Sequence, residues 1–213
     1  MIKIGIDFSL TSPAICVYKN DEYSFISFFN DSGKDWRKSK SKTYKYHNEL
    51  YDIIEVIPYT RKIDDSNYRN EQKTKMSDAL MIVNLIIEKL KAIIDDDVII
   101  GLEGFSYGSI SSSTLDLAMY NSFLRMKLIE NFGSDVLNIV SPTEGKKVLF
   151  GKGNAKKDDM IQAFIDNRLQ DDVLMANAFW QYCKTNDVDF KQPKPIDDLV
   201  DAYGILKSII IVQ

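Results

Sequence analysis

The stretch IGIDFSLTSPAICVY, residues 4–18, places a single carboxylate, Asp7, at the end of an apolar run. A Ser/Thr/Pro turn follows, and a second apolar run then begins. The run VIIGLEG, residues 98–104, contains an acid, Glu103, in the same kind of position. Burying a carboxylate costs free energy unless it has a partner, a cation or water. Both acids therefore need an explanation from the rest of the chain.

The composition is that of an ordinary water-soluble globular protein: 213 residues, 45% hydrophobic and 27% charged, with a net charge of −4. No apolar run approaches the ~18 residues of a membrane span, and the N-terminus does not resemble a secretory signal. Cys16 and Cys183 fit no metal-binding spacing, so a reducing, cytoplasmic location is expected. The single histidine, His47, argues against His-based zinc sites and a His-driven nucleophilic triad.

Apolar periodicity predicts an alternation of strands and helices. The predicted strands are residues 2–8, 13–18, 22–29, 98–104 and 136–141, with a weaker candidate at 51–60. The predicted helices are 77–94 with Ser77 as N-cap, 114–132, 144–150, 156–169, 172–185 and 198–211. This order predicts an α/β fold with a mixed five-stranded sheet, three antiparallel strands followed by two parallel ones, flanked by helices. We expect one domain, residues 1–213, with an insertion at 30–75.

The last predicted helix carries more acids, in the stretch PKPIDDLVDAYGIL. Asp198 and Asp201 are three residues apart and Asp197 and Asp201 are four apart, so either pair shares one helix face. If that helix crosses the ends of the two acidic strands, the carboxylates meet and need a hard cation such as Mg²⁺ or Mn²⁺. Two such ions ~4 Å apart catalyse in-line displacement at phosphorus. Taken singly, each acid also has a structural explanation, as a turn former, an N-cap or a partner of the helix dipole.

Basic residues form two clusters, although the net charge alone argues mildly against nucleic-acid binding. Residues 34–45, KDWRKSKSKTYK, carry six basic groups and one acid, and a second cluster spans 145–157. Such a run is either a solvated face or a phosphate-binding surface. On the second interpretation, the DNA-contacting lysines of the first cluster are Lys38, Lys40 and Lys42.

Three segments resemble the RuvC family of Holliday-junction resolvases, within the ribonuclease H-like superfamily: IGIDFSLTSPAI, IIGLEGFSYG and IDDLVDAYGIL. The third resembles the family motif D-x-x-D-A-x-x-I, which aligns Asp198 and Asp201 as its acids. A fourth, SPTEGKKVLFGKGNAKKDDMI, is similar to the family's paired lysines, Gly-x-Gly turn and helix-opening lysine. Glu103 ends a strand, as in resolvases, whereas the corresponding acid of ribonuclease H proper lies on a helix.

The resemblance implies a crossover junction endodeoxyribonuclease, a phosphodiester hydrolase of DNA recombination and repair with a two-metal mechanism. The implied ligands of Mg²⁺ or Mn²⁺ are Asp7, Glu103, Asp198 and Asp201. It also implies a homodimer that embraces a four-way DNA junction and cuts two strands. Lys157 or Lys156 would approach the scissile phosphate, Lys146 and Lys147 would hold the backbone, and Phe105 or Tyr107 would stack on a base.

Two other functions remain open at this point. A related nuclease acting on flaps, forks or RNA–DNA hybrids would use the same catalytic residues. A non-catalytic junction-binding module is disfavoured, because a decayed site should have lost at least one carboxylate. The helix at 114–132 carries apolar residues on more than one stripe, which indicates either a dimer interface or full burial within its own fold. No motif identifies a partner helicase or replication protein.

Overall fold

The computed structural model describes residues 1–31, 45–105, 112–191 and 193–211. These residues form a six-stranded sheet of order β4-β3-β2-β1-β5-β6. The strands are β1 (Ile2–Asp7), β2 (Ala14–Lys19), β3 (Glu22–Asn30), β4 (Glu55–Tyr59), β5 (Val98–Glu103) and β6 (Leu137–Val140). β1 to β3 are antiparallel, whereas β5 is parallel to both β1 and β6. The predicted mixed α/β architecture is confirmed.

The sheet has one strand more than the five predicted. The weak candidate at 51–60 forms β4, which pairs parallel with β3 at the edge of the sheet. Pro58 lies within β4, and an edge strand tolerates proline because one side of it needs no ladder donors.

Helices cover both faces of the sheet. They are α1 (Lys45–Leu50), α2 (Tyr68–Ile93), α3 (Ser112–Phe132), α4 (Pro142–Phe150), α5 (Lys157–Ile165), α6 (Asp172–Met175), α7 (Ala178–Thr185) and α8 (Ile196–Ile211). In the part of the chain that the structure describes, none of them is both long and apolar enough to cross a membrane.

The start of α2 differs from the prediction. Ser77 was expected as the N-cap because apolar periodicity begins there, but the helix begins at Tyr68. Its N-cap is Asn67, whose side-chain oxygen accepts a hydrogen bond from the Asn70 backbone N–H at 3.0 Å. The first turns are therefore polar and solvated, and side-chain capping rather than burial fixes where the helix begins.

Alternation along β1 divides its side chains between two layers. Ile2, Ile4 and Ile6 pack in an apolar cluster with residues of α2 and α3. Gly5 and Asp7 point to the opposite face, because successive side chains of a strand alternate. That face is covered by α8, which is buried over most of its circumference. The sheet thus presents the acid at the end of β1 to α8.

Candidate active site

A glycine precedes each strand acid by two residues and lets α8 come close to the sheet. Gly5 and Gly101 are register partners in the parallel β1–β5 pair, so Gly5-x-Asp7 and Gly101-x-Glu103 lie side by side. A Cβ on Gly5 would lie 2.2 Å from the Ala202 carbonyl oxygen of α8, and one on Gly101 would lie 3.0 Å from Ile205 Cγ2. Two bare backbone positions therefore allow α8 to carry its acids over the ends of β1 and β5.

Four of the predicted acids lie within electrostatic range of one another. Burial raises the pKa of Asp7 well above its usual value, and the nearby charges of Asp198, Asp201 and Glu103 raise it further. Burial, then Glu103 and Asp198, raise the pKa of Asp201 to about 7. Burial also raises the pKa values of Glu103 and Asp198. Burial and mutual repulsion together therefore outweigh the nearby lysines in setting the pKa values of these four acids.

The structure separates Asp198 from Asp197. Asp198 is 3% exposed and accepts a hydrogen bond from the Ser12 hydroxyl at 2.5 Å, in the turn between β1 and β2. Its charge is the largest electrostatic contribution to the raised pKa of Asp7. Asp197 is equally buried, but its carboxylate contacts the ammonium of Lys157. Asp198 therefore belongs to the group formed with Asp7, as the motif alignment has it, and Asp197 faces α5.

Two of the predicted lysines approach this group. The positive charges of Lys146 and Lys157 oppose the upward shift in the pKa of Glu103. Lys146 is placed by a capping box at the start of α4, in which Ser141 and Glu144 cap each other's backbone N–H groups. Lys157 begins α5 and has a half-exposed side chain. The other two predicted lysines, Lys147 and Lys156, are exposed.

A cleft opens beside Glu103. It has a volume of about 210 Å³, and its lining includes Phe8, Phe105 and Lys146. The guanidinium carbon of Arg125 lies 4.3 Å from the centre of the Phe105 ring. The cleft therefore combines aromatic rings with a cation next to an acid of the cluster. The other predicted DNA-contacting residues, Tyr107, Lys38, Lys40 and Lys42, lie outside the described residues.

Sequence reasoning missed Lys194. Its ammonium contacts Asp198 Oδ1 and lies 3.2 Å from Asp197 Oδ2. Burial lowers the pKa of Lys194, but Asp198 and Asp197 outweigh burial and raise it overall. The available signal was its position three and four residues before the two aspartates, next to the start of α8.

The donor set suits a hard divalent cation, because it consists of carboxylate oxygens. Asp7, Glu103, Asp198 and Asp201 are the residues that could hold one, and Asp197 Oδ1 is a buried oxygen beside them for which the described residues supply no hydrogen-bond partner. Among the residues that the structure describes, no three His, Cys, Asp or Glu side chains form a ready-made metal-binding group. At this site the ammonium of Lys194 contacts the carboxylate of Asp198.

The raised pKa of Asp201 predicts how stability depends on pH. Its value is about 7 in the fold, against about 4 for an unfolded aspartate. The folded chain binds this proton more tightly, so lowering the pH from above 7 towards 4 should stabilise the metal-free protein. Melting temperatures in EDTA should therefore rise less over this range for Asp201→Asn than for the wild type. The control Asp135→Asn, at an exposed site, should show the same change of melting temperature with pH as the wild type. The same change in Asp201→Asn would contradict a raised pKa at Asp201.

Comparison with known proteins identifies the fold of the chain. The chain is similar to the structure of RuvC from Thermus thermophilus, with a TM-score of 0.52 and 10% identity over 100% of this chain and 96% of that one. It is also similar to T. thermophilus RuvC in complex with a Holliday junction substrate, with a TM-score of 0.50 and 13% identity over 98% of this chain and 92% of that one. No protein-family model and no curated protein matches the sequence. The chain has a RuvC-like fold.

Proposed function

We propose that this protein is a metal-dependent endonuclease that cleaves branched DNA and resolves four-way junctions by paired nicks. The observation that carries this proposal is the convergence of Asp7, Glu103, Asp198 and Asp201 where β1, β5 and α8 meet. The RuvC-like fold supports it, because the similar structures include a RuvC bound to a Holliday junction. The complete acid set favours an enzyme over a binding module.

The proposed chemistry is hydrolysis of a phosphodiester. Asp7, Glu103, Asp198 and Asp201 would hold Mg²⁺ or Mn²⁺, which when bound supplies an acidified water and positive charge for the leaving oxygen. The charges of Lys146 and Lys157 both act on Glu103. Lys157 would approach the scissile phosphate, and Lys146 would hold the DNA backbone. Phe105, beside the same acid, would stack on an unpaired base. The burial of Asp7 and Asp198 keeps bulk water from screening the cluster.

A panel of labelled DNA substrates tests the proposal. With Mg²⁺ or Mn²⁺, a synthetic four-way junction should be cut faster than a flap, a fork, an RNA–DNA hybrid or a linear duplex of matched sequence. Two nicks should appear in strands of like polarity. If flaps, forks or hybrids are cut faster than the junction, the protein is a nuclease for those substrates and not a resolvase. Binding of junctions without cutting in either metal would indicate a non-catalytic module.

We also propose that residues 1–213 form one nuclease domain in which 30–75 is an insertion that contacts DNA. Neutralising Lys38, Lys40 and Lys42 should weaken junction binding and flatten its dependence on salt. The slope of log affinity against log salt should fall by about 0.9 for each phosphate that these lysines no longer neutralise. The matched triple change at Lys3, Lys19 and Lys91, near the end of the sheet opposite Asp7, should leave the slope unchanged. If both triple variants show the same slope, the basic residues of 34–45 are solvated and do not bind phosphate.

A homodimer is the proposed assembly, because paired nicks need two sites related by symmetry. Leu115, Met126 and Ile129 of α3 are 62%, 47% and 46% exposed. Their spacing puts them on one side of the helix, and the opposite side, with Tyr120, Leu124 and Leu128, is buried. Full burial of α3 within its own fold, the alternative expected from sequence, is therefore wrong. The exposed stripe is the candidate interface.

A charge placed in that stripe should break the dimer. We expect Ile129→Glu to sediment as a monomer at micromolar concentration and to lose paired nicking, while the wild type sediments as a dimer. Met175→Glu is the matched control, because Met175 is equally exposed, at 45%, but lies on α6. A wild type that stays monomeric on junction DNA and cuts only one strand would contradict the dimer.

A further inference from the structure

Lys194 lies in the segment that leads into α8 and provides a positive charge to two buried acids. Its ammonium contacts Asp198 Oδ1 and lies 3.2 Å from Asp197 Oδ2. The side chains of these two acids are only 4% and 2% exposed, whereas that of Lys194 is 36% exposed. Two adjacent buried carboxylates repel each other and lose hydration, so a cation between them stabilises the fold. The charge of Lys194 also opposes the raised pKa of Asp7.

This contact uses the oxygen that a metal ion would need. Asp198 Oδ2 accepts the Ser12 hydroxyl at 2.5 Å, and Oδ1 is taken by Lys194. A hydroxyl is neutral and can remain beside a metal-bound carboxylate. An ammonium is a like charge, and at ~4 Å from another cation the repulsion is worth several kcal/mol in a partly buried site. A divalent ion on Asp198 and the ammonium of Lys194 therefore compete for the same carboxylate.

A neighbouring cleft can accommodate the Lys194 side chain when it leaves Asp198. A cleft of about 440 Å³ lies next to the acids, and Lys194 lines it together with Phe190 and Lys191. The lysine stem is flexible and its ammonium is readily hydrated. Because its side chain is partly exposed in the contact, it can turn into this cleft without a change in α8.

We propose that Lys194 is the resident counter-cation of the acid cluster, which pairs with Asp198 in the metal-free protein and is displaced by the incoming divalent ion. This inference rests on the proposed function, because it takes Asp198 as a metal ligand. Lys194 is then a positioning residue. It holds the Asp198 carboxylate in place before the ion arrives, and it raises the ion concentration at which the site fills.

Calorimetric titration with Mn²⁺, in the absence of DNA, tests the exchange. Lys194→Met should bind Mn²⁺ about tenfold more tightly than the wild type or better, since no ammonium has to be displaced. Its melting temperature in EDTA should fall, and Mn²⁺ should raise it by more than in the wild type. Lys194→Arg, which keeps the charge, should bind like the wild type. Lys191→Met, an exposed lysine of the same cleft, should also be unchanged.

A second pair of variants covers the case in which Lys194→Met does not fold. Asp197→Asn removes one of the two acids that Lys194 neutralises, and the double variant Lys194→Met/Asp197→Asn then has a more balanced charge. Asp197 faces Lys157 and is not a proposed ligand. The double variant should bind Mn²⁺ more tightly than Asp197→Asn alone, again by about tenfold.

The outcomes separate this inference from the proposed function. Wild-type protein that binds Mn²⁺ and cuts junctions, with equal or weaker binding after removal of Lys194, would overturn the exchange alone. The absence of Mn²⁺ binding in the wild type and in every variant would overturn both the exchange and the metal-dependent nuclease. Tighter binding in Lys194→Met and in the double variant, with wild-type affinity in Lys194→Arg and Lys191→Met, supports the exchange.

Discussion

Asp7→Asn is expected to reduce cleavage of a four-way junction by about a thousandfold or more, the scale of losing a principal electrostatic group of an active site. The change removes a proposed metal ligand but keeps the size of the side chain. It should not unfold the protein. Because burial and three neighbouring carboxylates raise the pKa of Asp7, the neutral amide should stabilise the metal-free fold at neutral pH. Junction binding should be equal or tighter, since one charge that repels phosphate is gone.

Single-turnover rates in Mg²⁺ measure the cleavage, and gel shifts in EDTA measure the binding. Asp135→Asn is the control, because it makes the same chemical change at an exposed site beside β6. Cleavage by Asp7→Asn at the wild-type rate would show that the acid cluster is not the active site. Circular dichroism of Asp7→Asn should show a native spectrum. Such a spectrum excludes unfolding as the cause of the lost activity.

The same assay ranks the remaining acids. Glu103→Gln and Asp201→Asn should lose activity as Asp7→Asn does, because their charges act on the same group. Asp198→Asn should lose more activity than Asp197→Asn, because Asp198 faces Asp7 and Asp197 pairs with Lys157. A larger loss in Asp197→Asn would reverse this assignment.

Gly5→Ala is expected to destabilise the protein by more than about 3 kcal/mol, the upper end of the usual cost of overpacking. The added methyl group would lie 2.2 Å from the Ala202 carbonyl oxygen and 2.6 Å from the Leu206 backbone nitrogen, and backbone atoms cannot rotate away. α8 would have to move off the sheet and take Asp198 and Asp201 with it. Cleavage should therefore fall even in the fraction that remains folded.

Urea unfolding measures the stability, and Gly145→Ala is the matched control. A Cβ on Gly145 would meet its nearest neighbour at 3.6 Å, an ordinary contact. Gly145 lies inside α4, where alanine favours the helix over glycine by up to ~1 kcal/mol. This variant should be as stable as the wild type or slightly more so. Equal stability of Gly5→Ala and wild type would mean that α8 does not approach β1 this closely.

Much of the architecture could be predicted from local pattern. Period-two alternation in residues 2–7 decides which side chains face which layer, and Asp7 follows from that alternation. Helical spacing likewise puts Asp198 and Asp201 on one side of α8. Parallel strands joined through helices end at the same edge of the sheet, so Asp7 and Glu103 could be expected to meet. Their convergence with α8 was an inference from this geometry, and the structure places the four acids within electrostatic range of one another.

Other features depended on contacts between residues far apart in the sequence. The choice between Asp197 and Asp198 follows from the rotation of α8, which is set by close approach at Gly5 and Gly101. The parallel pairing of β4 with β3 depends on which edge of the sheet the chain reaches after residue 50.

The sequence by itself determined that acids end two buried strands and open the last helix, because burial periodicity and turn chemistry act over a few residues. Only the tertiary structure decided what neutralises those acids. Lys194 looks like an ordinary surface lysine between two prolines, and its contact with Asp198 exists because β1, β5 and α8 bring several carboxylates together there. Electrostatic energy depends on distance in space rather than along the chain, and that distance is fixed only when the helix has packed on the sheet.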